Sequence, residues 1–201
     1  MQQRAGYGML LPRPILGKTI LFKLFRQRKH NQIIVDRQYA ALTSLARTPY
    51  FYTDLDVPDT VMGRFEMLTL VLILFFRRTA KSERSGQELA QEIIDAFFTD
   101  IDHSIRELGV GDQSVPKRMK KFAGMFYGRL ESYSAAIDAD EREQLALALR
   151  RNIYPDAGAG APTMEKLAAW TIGAEKALTA ITEDEVASGH LVILAPGGDT
   201  A

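Results

Sequence analysis

Cysteine is absent from the 201-residue chain. That excludes disulfides, thiol nucleophiles and cysteine-bound metals, and it fits a reducing compartment. Histidine is scarce, with only His30, His103 and His190 present. Only His103 has an acid three residues ahead, Asp100. A carboxylate di-metal bundle needs two such pairs and two further glutamates, so half that ligand set is missing. Asp100, His103 and Glu107 read instead as a solvated helix edge, and neither a metal nor another cofactor is expected. No phosphate loop is present, because Gly109–Asp112 (GVGD) lacks the lysine–serine continuation, and there is no G-x-S-x-G turn. Nothing in the chain calls for catalysis, and no enzyme is expected.

Long apolar runs are missing too. The longest, Met67–Phe76, has ten residues, about 15 Å of helix and half the hydrocarbon core of a bilayer. Arg64 and Glu66 bound it on one side, Arg77 and Arg78 on the other, so it reads as a buried central helix. No secretory signal is expected, since Arg4 and Arg13 are not followed by an apolar run ending at a small-residue cleavage site.

Net charge is the last thing the chain lacks, yet its 25 basic and 25 acidic residues are unevenly spread. Residues 1–50 carry nine Lys/Arg against the single acid Asp36, whereas five basic residues face twelve acids from Leu130 onward. Two readings stay open: a polyanionic neighbour for the basic front, RNA or anionic lipid, or an internal match between front and back.

What is present is helical periodicity in a chain of one domain, 46% hydrophobic and large enough for its own core. The expected architecture is an all-α bundle, with residues 1–17 a loose leader, 18–190 the helical domain and 191–201 a tail. In the first helix Ile20, Leu21, Leu24 and Phe25 form an apolar edge. Lys18, Lys23, Arg26, Arg28 and Lys29 cover the remainder, a pattern suited to a membrane or ribosome surface or to simple docking on the core. A second helix is expected over Gln32–Ala46, ended by Pro49. Asp59 or Thr60 would cap the apolar helix, near whose start Arg64 offers an ion pair or a ligand contact. Later helices are expected over about Glu141–Asn152 and Met164–Ile181, the last capped by Thr163. One short strand-like segment is expected at Gly189–Leu194.

The chemistry concentrates in Asp95–Arg129. At about 100° per residue, Phe97, Phe98, Ile101, Ile105 and Leu108 share one helix face, flanked by Asp95, Asp102 and Arg106. Gly109 closes this helix as its left-handed residue, and Val110 can pack back over the last turn. Asp112 or Ser114 can cap the next helix, with Pro116 in its first turn. There Met119, Phe122, Ala123, Phe126, Leu130 and Tyr133 form a stripe, and Lys117, Arg118, Lys120 and Lys121 point away from it. Phosphate contact by these cations and base stacking by Tyr50, Phe51 and Tyr52 are open in principle, but no nucleic-acid motif is present and no sequence-specific nucleic acid is expected.

Two blocks, VPDTVMGRFEML (Val57–Leu68) and FFTDIDHSIRELGVGDQSVPKRMKKFAGMFYGR (Phe97–Arg129), resemble those of the ubiquinol–cytochrome c chaperone family. LFKLFRQRKHN, ARTPYFY (Ala46–Tyr52) and ALRRNIY (Ala148–Tyr154) are similar as well, in order over about residues 20–190. Met62 stands where an acid is expected, Glu66 where an aspartate is, and Gln113 where an apolar residue is usual. The resemblance implies a non-enzymatic assembly factor of ubiquinol–cytochrome c reductase that receives newly made cytochrome b. It also implies a small partner subunit, a place near the ribosome and, for a bacterial relative, the cytoplasmic periphery of the inner membrane. An adaptor with another client and a metal-dependent helical enzyme are the rival readings.

Residues offered for client or partner contact follow from the hairpin. Phe97, Phe98, Met119, Phe122, Met125, Phe126 and Tyr127 are either core or an adaptable groove. Arg64, Asp95, Asp102, Arg106, Asp112, Lys117, Arg118 and Arg129 are the candidate polar framework, extended by Lys120 and Lys121.

Overall fold

In the computed structural model, the backbone is described over residues 16–197 and side chains over residues 31–197. Residues 1–15 of the leader expected at residues 1–17, the end of the tail, and the side chains of Lys18, Lys23, Arg26, Arg28 and Lys29 lie outside the described residues, while residues 16 and 17 already belong to a helix. The chain divides into residues 1–33 and 34–201. Of the first unit, the helical backbone from Leu16 is described; the packing below belongs to the second.

Helix α1 runs unbroken over Leu16–Ala46, where two helices were expected. Lys29–His30–Asn31 holds no proline or glycine, so nothing local breaks it. Pro49 then starts the one-turn α2 (Tyr50–Thr53). Helix α3 (Val61–Thr79) follows, and the Thr60 hydroxyl caps it by accepting the Gly63 N–H at 3.0 Å. Its apolar run is the centre of the molecule: Met67 and Leu70–Phe75 are each no more than 1% exposed.

The other helices cover α3. Helix α4 (Arg84–Glu107) ends as the glycine predicts. Gly109 has φ +77°, its N–H reaches Arg106 O at 2.9 Å, and Val110 N–H reaches Ile105 O at 3.4 Å, the pairing of a Schellman stop. A 3₁₀ turn, Asp112–Ser114, leads into α5 (Val115–Asp138). Ser114 is the N-cap residue but its side chain makes no capping bond, and Pro116 sits in the first turn. Helices α6 (Arg142–Ile153) and α7 (Glu165–Leu178) complete the cover. Met164, not Thr163, is the N-cap of α7, held buried in a left-handed conformation with φ +60°. The short α8 (Glu183–Ala187) was not expected; it starts at a capping box between Thr182 and Glu185.

No strand forms among the described residues, and the expected strand-like segment is corrected accordingly. Its alternation is real, for Leu191 and Ile193 are buried while Val192 and Leu194 are exposed. Its partner is a side chain. Gln38, 0% exposed, takes the Leu191 N–H at 3.0 Å and donates to the Leu191 carbonyl at 2.8 Å. One amide thus does what a neighbouring strand would, for one residue only.

Polar ties fix the far end of α3. Arg77 bridges Asp138 at 2.6 Å and Glu175 at 3.0 Å, and Arg78 meets Glu183 at 2.8 Å. The acids of the C-terminal third that form ion pairs do so with these two arginines, Arg142 and Lys176.

Gly63 lies where α3 passes the Pro58 backbone, and a Cβ there would sit 1.9 Å from the Pro58 carbonyl oxygen. Gly124, exposed in α5, has open space around it. Helix propensity alone favours alanine over glycine by about 1 kcal/mol at either site. Gly124→Ala should therefore raise the urea midpoint, while Gly63→Ala should lower it by more than about 1 kcal/mol of stability. Equal effects at the two sites would remove the steric argument.

Candidate functional site

The start of α3, the end of α4 and the start of α5 meet at one end of the bundle, beside the last turns of α1. They leave a cleft of about 270 Å³ open to solvent. Phe65, Leu68, Phe97, Ile101, Ile105 and Phe122 line its floor and walls. The rings pack on one another: Phe65 stands edge-on to Phe122 at 5.0 Å and stacked on Phe97 at 6.2 Å. At the mouth Val61, Met62 and Leu108 are 73%, 43% and 71% exposed.

Polar groups border the cleft as well, among them Thr43, whose buried hydroxyl has no hydrogen-bond partner, and Ser104. Tyr39 O–H donates to Asp100 Oδ2 at 2.9 Å, tying α1 to α4. Burial, with the Asp100 carboxylate beside it, pushes the Tyr39 phenol far above its ordinary range, so it stays protonated. Arg64 pairs with Asp59 at 2.7 Å, and its guanidinium lies 5.9 Å from the Tyr52 ring centre. That hydrogen bond holds the Asp59 carboxyl below the usual carboxylate range. No acid, base and nucleophile converge within the cleft, and among the described residues no group of three acid or histidine side chains could hold a metal ion. What the cleft offers is apolar contact surface.

The residues proposed from sequence fall into distinct places. Phe97 and Phe126, each 1% exposed, are core side chains, and only Phe97 borders the cleft. Phe98 is half-buried against both rings. Tyr127, 55% exposed, lies on a second apolar groove with Phe76, Ile94 and Leu130. Arg106 is the brace of the elbow. It bonds Asp102 in its own helix at 2.7 Å and Asp112 beyond the turn at 2.5 Å, and it holds the Asp102 carboxyl below its ordinary value. Asp95 takes no part in this brace; it accepts from Gln91 at 3.0 Å. Lys117, Arg118, Lys120 and Lys121 are exposed and pair with nothing among the described residues.

Arg129 is a correction. It is not a surface framework residue: it is 7% exposed and forms a fork with Glu66, itself 4% exposed, with both N–O distances 2.5 Å. Glu66, one of the departures from the family pattern, is thus inside, joining α3 to α5. Burial pushes its carboxyl above the ordinary value although Arg129 pulls the other way. The sequence reading missed both this pair and the mouth residues Val61 and Met62. The apolar pair just after a capping threonine was the available signal for the latter.

Removing one partner of a buried ion pair strands the other charge, at a cost of about 3–5 kcal/mol. Arg129→Met and Glu66→Leu alone should each lower stability by that order in urea unfolding, and the double variant should recover most of it. Single variants within about 0.5 kcal/mol of the parent would show that the pair contributes nothing.

Residues 53–193 match a family model described as ubiquinol-cytochrome C chaperone. The crystal structure of the Cbp3 homolog from Brucella abortus is similar at TM-score 0.79 and 44% identity, over 87% of this chain and 96% of that one. Ubiquinol-cytochrome-c reductase complex assembly factor 1 of Xenopus laevis is 23% identical over 58% of this chain and 58% of its own length. Protein CBP3, mitochondrial, of Saccharomyces cerevisiae is 26% identical over 74% of this chain and 45% of its own. The chain thus spans about half the length of these two relatives.

Proposed function

The chain belongs to the ubiquinol-cytochrome C chaperone family, and from that premise we propose that it shelters newly made cytochrome b while ubiquinol–cytochrome c reductase is assembled. The family is one of chaperones and assembly factors, not enzymes. The observation that supports this client is the apolar cleft at the elbow end, walled by phenylalanine, isoleucine, leucine and methionine. A client that must be held before its neighbours arrive is apolar, and it changes shape as it matures. A surface of packed rings with a methionine at the mouth accommodates such a segment without demanding one geometry. A small partner subunit and the ribosome remain part of this reading as further contacts. Among the described residues no helix is long and apolar enough to cross a membrane, so the proposed place of action is the membrane periphery.

Deletion of the gene, followed by haem spectra and immunoblots of membranes, tests the reading. The expected outcome is selective loss of the b-type signal and of assembled reductase, with other respiratory complexes intact. A plasmid copy should restore both, and Val61→Glu, which places a charge at the cleft mouth, should fail to do so while folding normally. Unchanged reductase in the deletion strain would end the proposal.

A further inference from the structure

The mouth of the cleft has a second property, set by which charges around it are already engaged. Asp59 is paired with Arg64, and Asp102 and Asp112 share Arg106, while the Asp100 carboxylate keeps its charge beside the neutral Tyr39 hydroxyl. Neither Asp100 nor Glu107 has an ion pair among the described residues. Against them stand Lys117, Arg118, Lys120 and Lys121, exposed and unpaired within little more than one turn of α5, together with exposed Arg47 at the rim. Arg47, Arg64, Arg106 and the four α5 cations are seven charges against the five of Asp59, Asp100, Asp102, Glu107 and Asp112, so the balance of these groups is positive. Around it project Val61, Met62 and Leu108, contributed by two different helix ends.

We infer that this end of the bundle docks on an anionic phospholipid surface, with Leu108, Val61 and Met62 entering the interface and the α5 cations lying among the headgroups. This rests on the reading above, in which the protein works beside a membrane, and it assigns the face that does so. Two observations favour lipid over a protein partner. Three of the four α5 cations are lysines, a residue that protein interfaces avoid and that headgroup regions accept, because its long stem lets the ammonium reach the phosphates. The apolar side chains come from two helix ends, Val61 and Met62 at the start of α3 and Leu108 at the end of α4. Side chains so placed insert between headgroups, and neither they nor the charges need suffice alone, since stable attachment combines both terms. In this orientation the cleft opens toward the bilayer, the direction from which an apolar client segment would come.

The absence of native cysteine makes the test clean. In the full chain, Leu108→Cys carries a single environment-sensitive dye, and Leu147→Cys, exposed on α6, serves as the control. The probes are vesicles of phosphatidylcholine alone and of phosphatidylcholine with roughly a third phosphatidylglycerol. Expected is a blue shift at position 108 with the anionic vesicles only, none at position 147, and loss of the response at high salt. Reversing the four cations (Lys117→Glu, Arg118→Glu, Lys120→Glu, Lys121→Glu) should weaken binding by more than about tenfold. Binding to anionic vesicles with the dye at 108 still in water would overturn the proposal and transfer attachment to another part of the chain. So would no binding at all, or a shift at 108 that appears only with added client protein. Vesicle binding and reductase assembly are read separately: a failed vesicle assay leaves the assembly reading standing, and normal reductase in a deletion strain leaves the lipid result standing.

Discussion

A helix that is apolar on every side has to be covered on every side, and α3 imposes that condition on the rest of the chain. Between Met67 and Phe75 its side chains are buried almost without exception, and each fully buried Leu, Ile, Val or Phe contributes about 1.5–3 kcal/mol relative to exposure. No single amphipathic helix can cover such a cylinder, so α4, α5, α6 and α7 all pack against it. The charged groups that α3 carries are pushed toward its ends, while the Thr69 hydroxyl is buried mid-helix without a hydrogen-bond partner. Glu66 is neutralised by Arg129 from α5, while Arg77 and Arg78 reach Asp138, Glu175 and Glu183. Those ion pairs act less as a source of stability than as a register, because a slip of α5 along α3 would leave a buried charge without its partner.

The hairpin of α4 and α5 was legible in the sequence because its signals are local. Gly109 stops one helix, Pro116 starts the next, and the stripes of both follow from a period of 3.6. The α8 start was equally local, since Thr182 and Glu185 have capping-box spacing, and it was overlooked. Other features could not be read locally. The segment around Leu191 alternates as a strand does, but its partner is the side chain of Gln38, 153 residues away. Glu66 and Arg129 are 63 residues apart, and nothing near either announces that both are buried. Helical periodicity also cannot separate core from groove, because both ask for apolar residues at the same spacing. Phe97 and Phe122 sit on the expected stripes, yet only the nearness of α1 and α3 makes one the floor and the other a wall of a cleft.

The cleft exists because α3 outlasts its cover at one end. Its first turn, Val61–Arg64, lies beside the point where α4 stops at Gly109 and the chain turns back into α5, so no helix crosses over it. The turn is held by Arg106, bonded to Asp102 and Asp112. That brace commits the acids of the elbow to one cation and leaves the cations of α5 uncommitted. One arrangement therefore accounts for two surface properties: apolar side chains left in water and a positive field beside them. An enzyme pocket places a few polar groups where they converge. Here Asp59 and Asp100 are engaged by Arg64 and Tyr39, and most of the lining is apolar contact surface bordered by charge. That is the equipment needed to hold a hydrophobic chain temporarily at a charged boundary, and it requires no chemistry to let go.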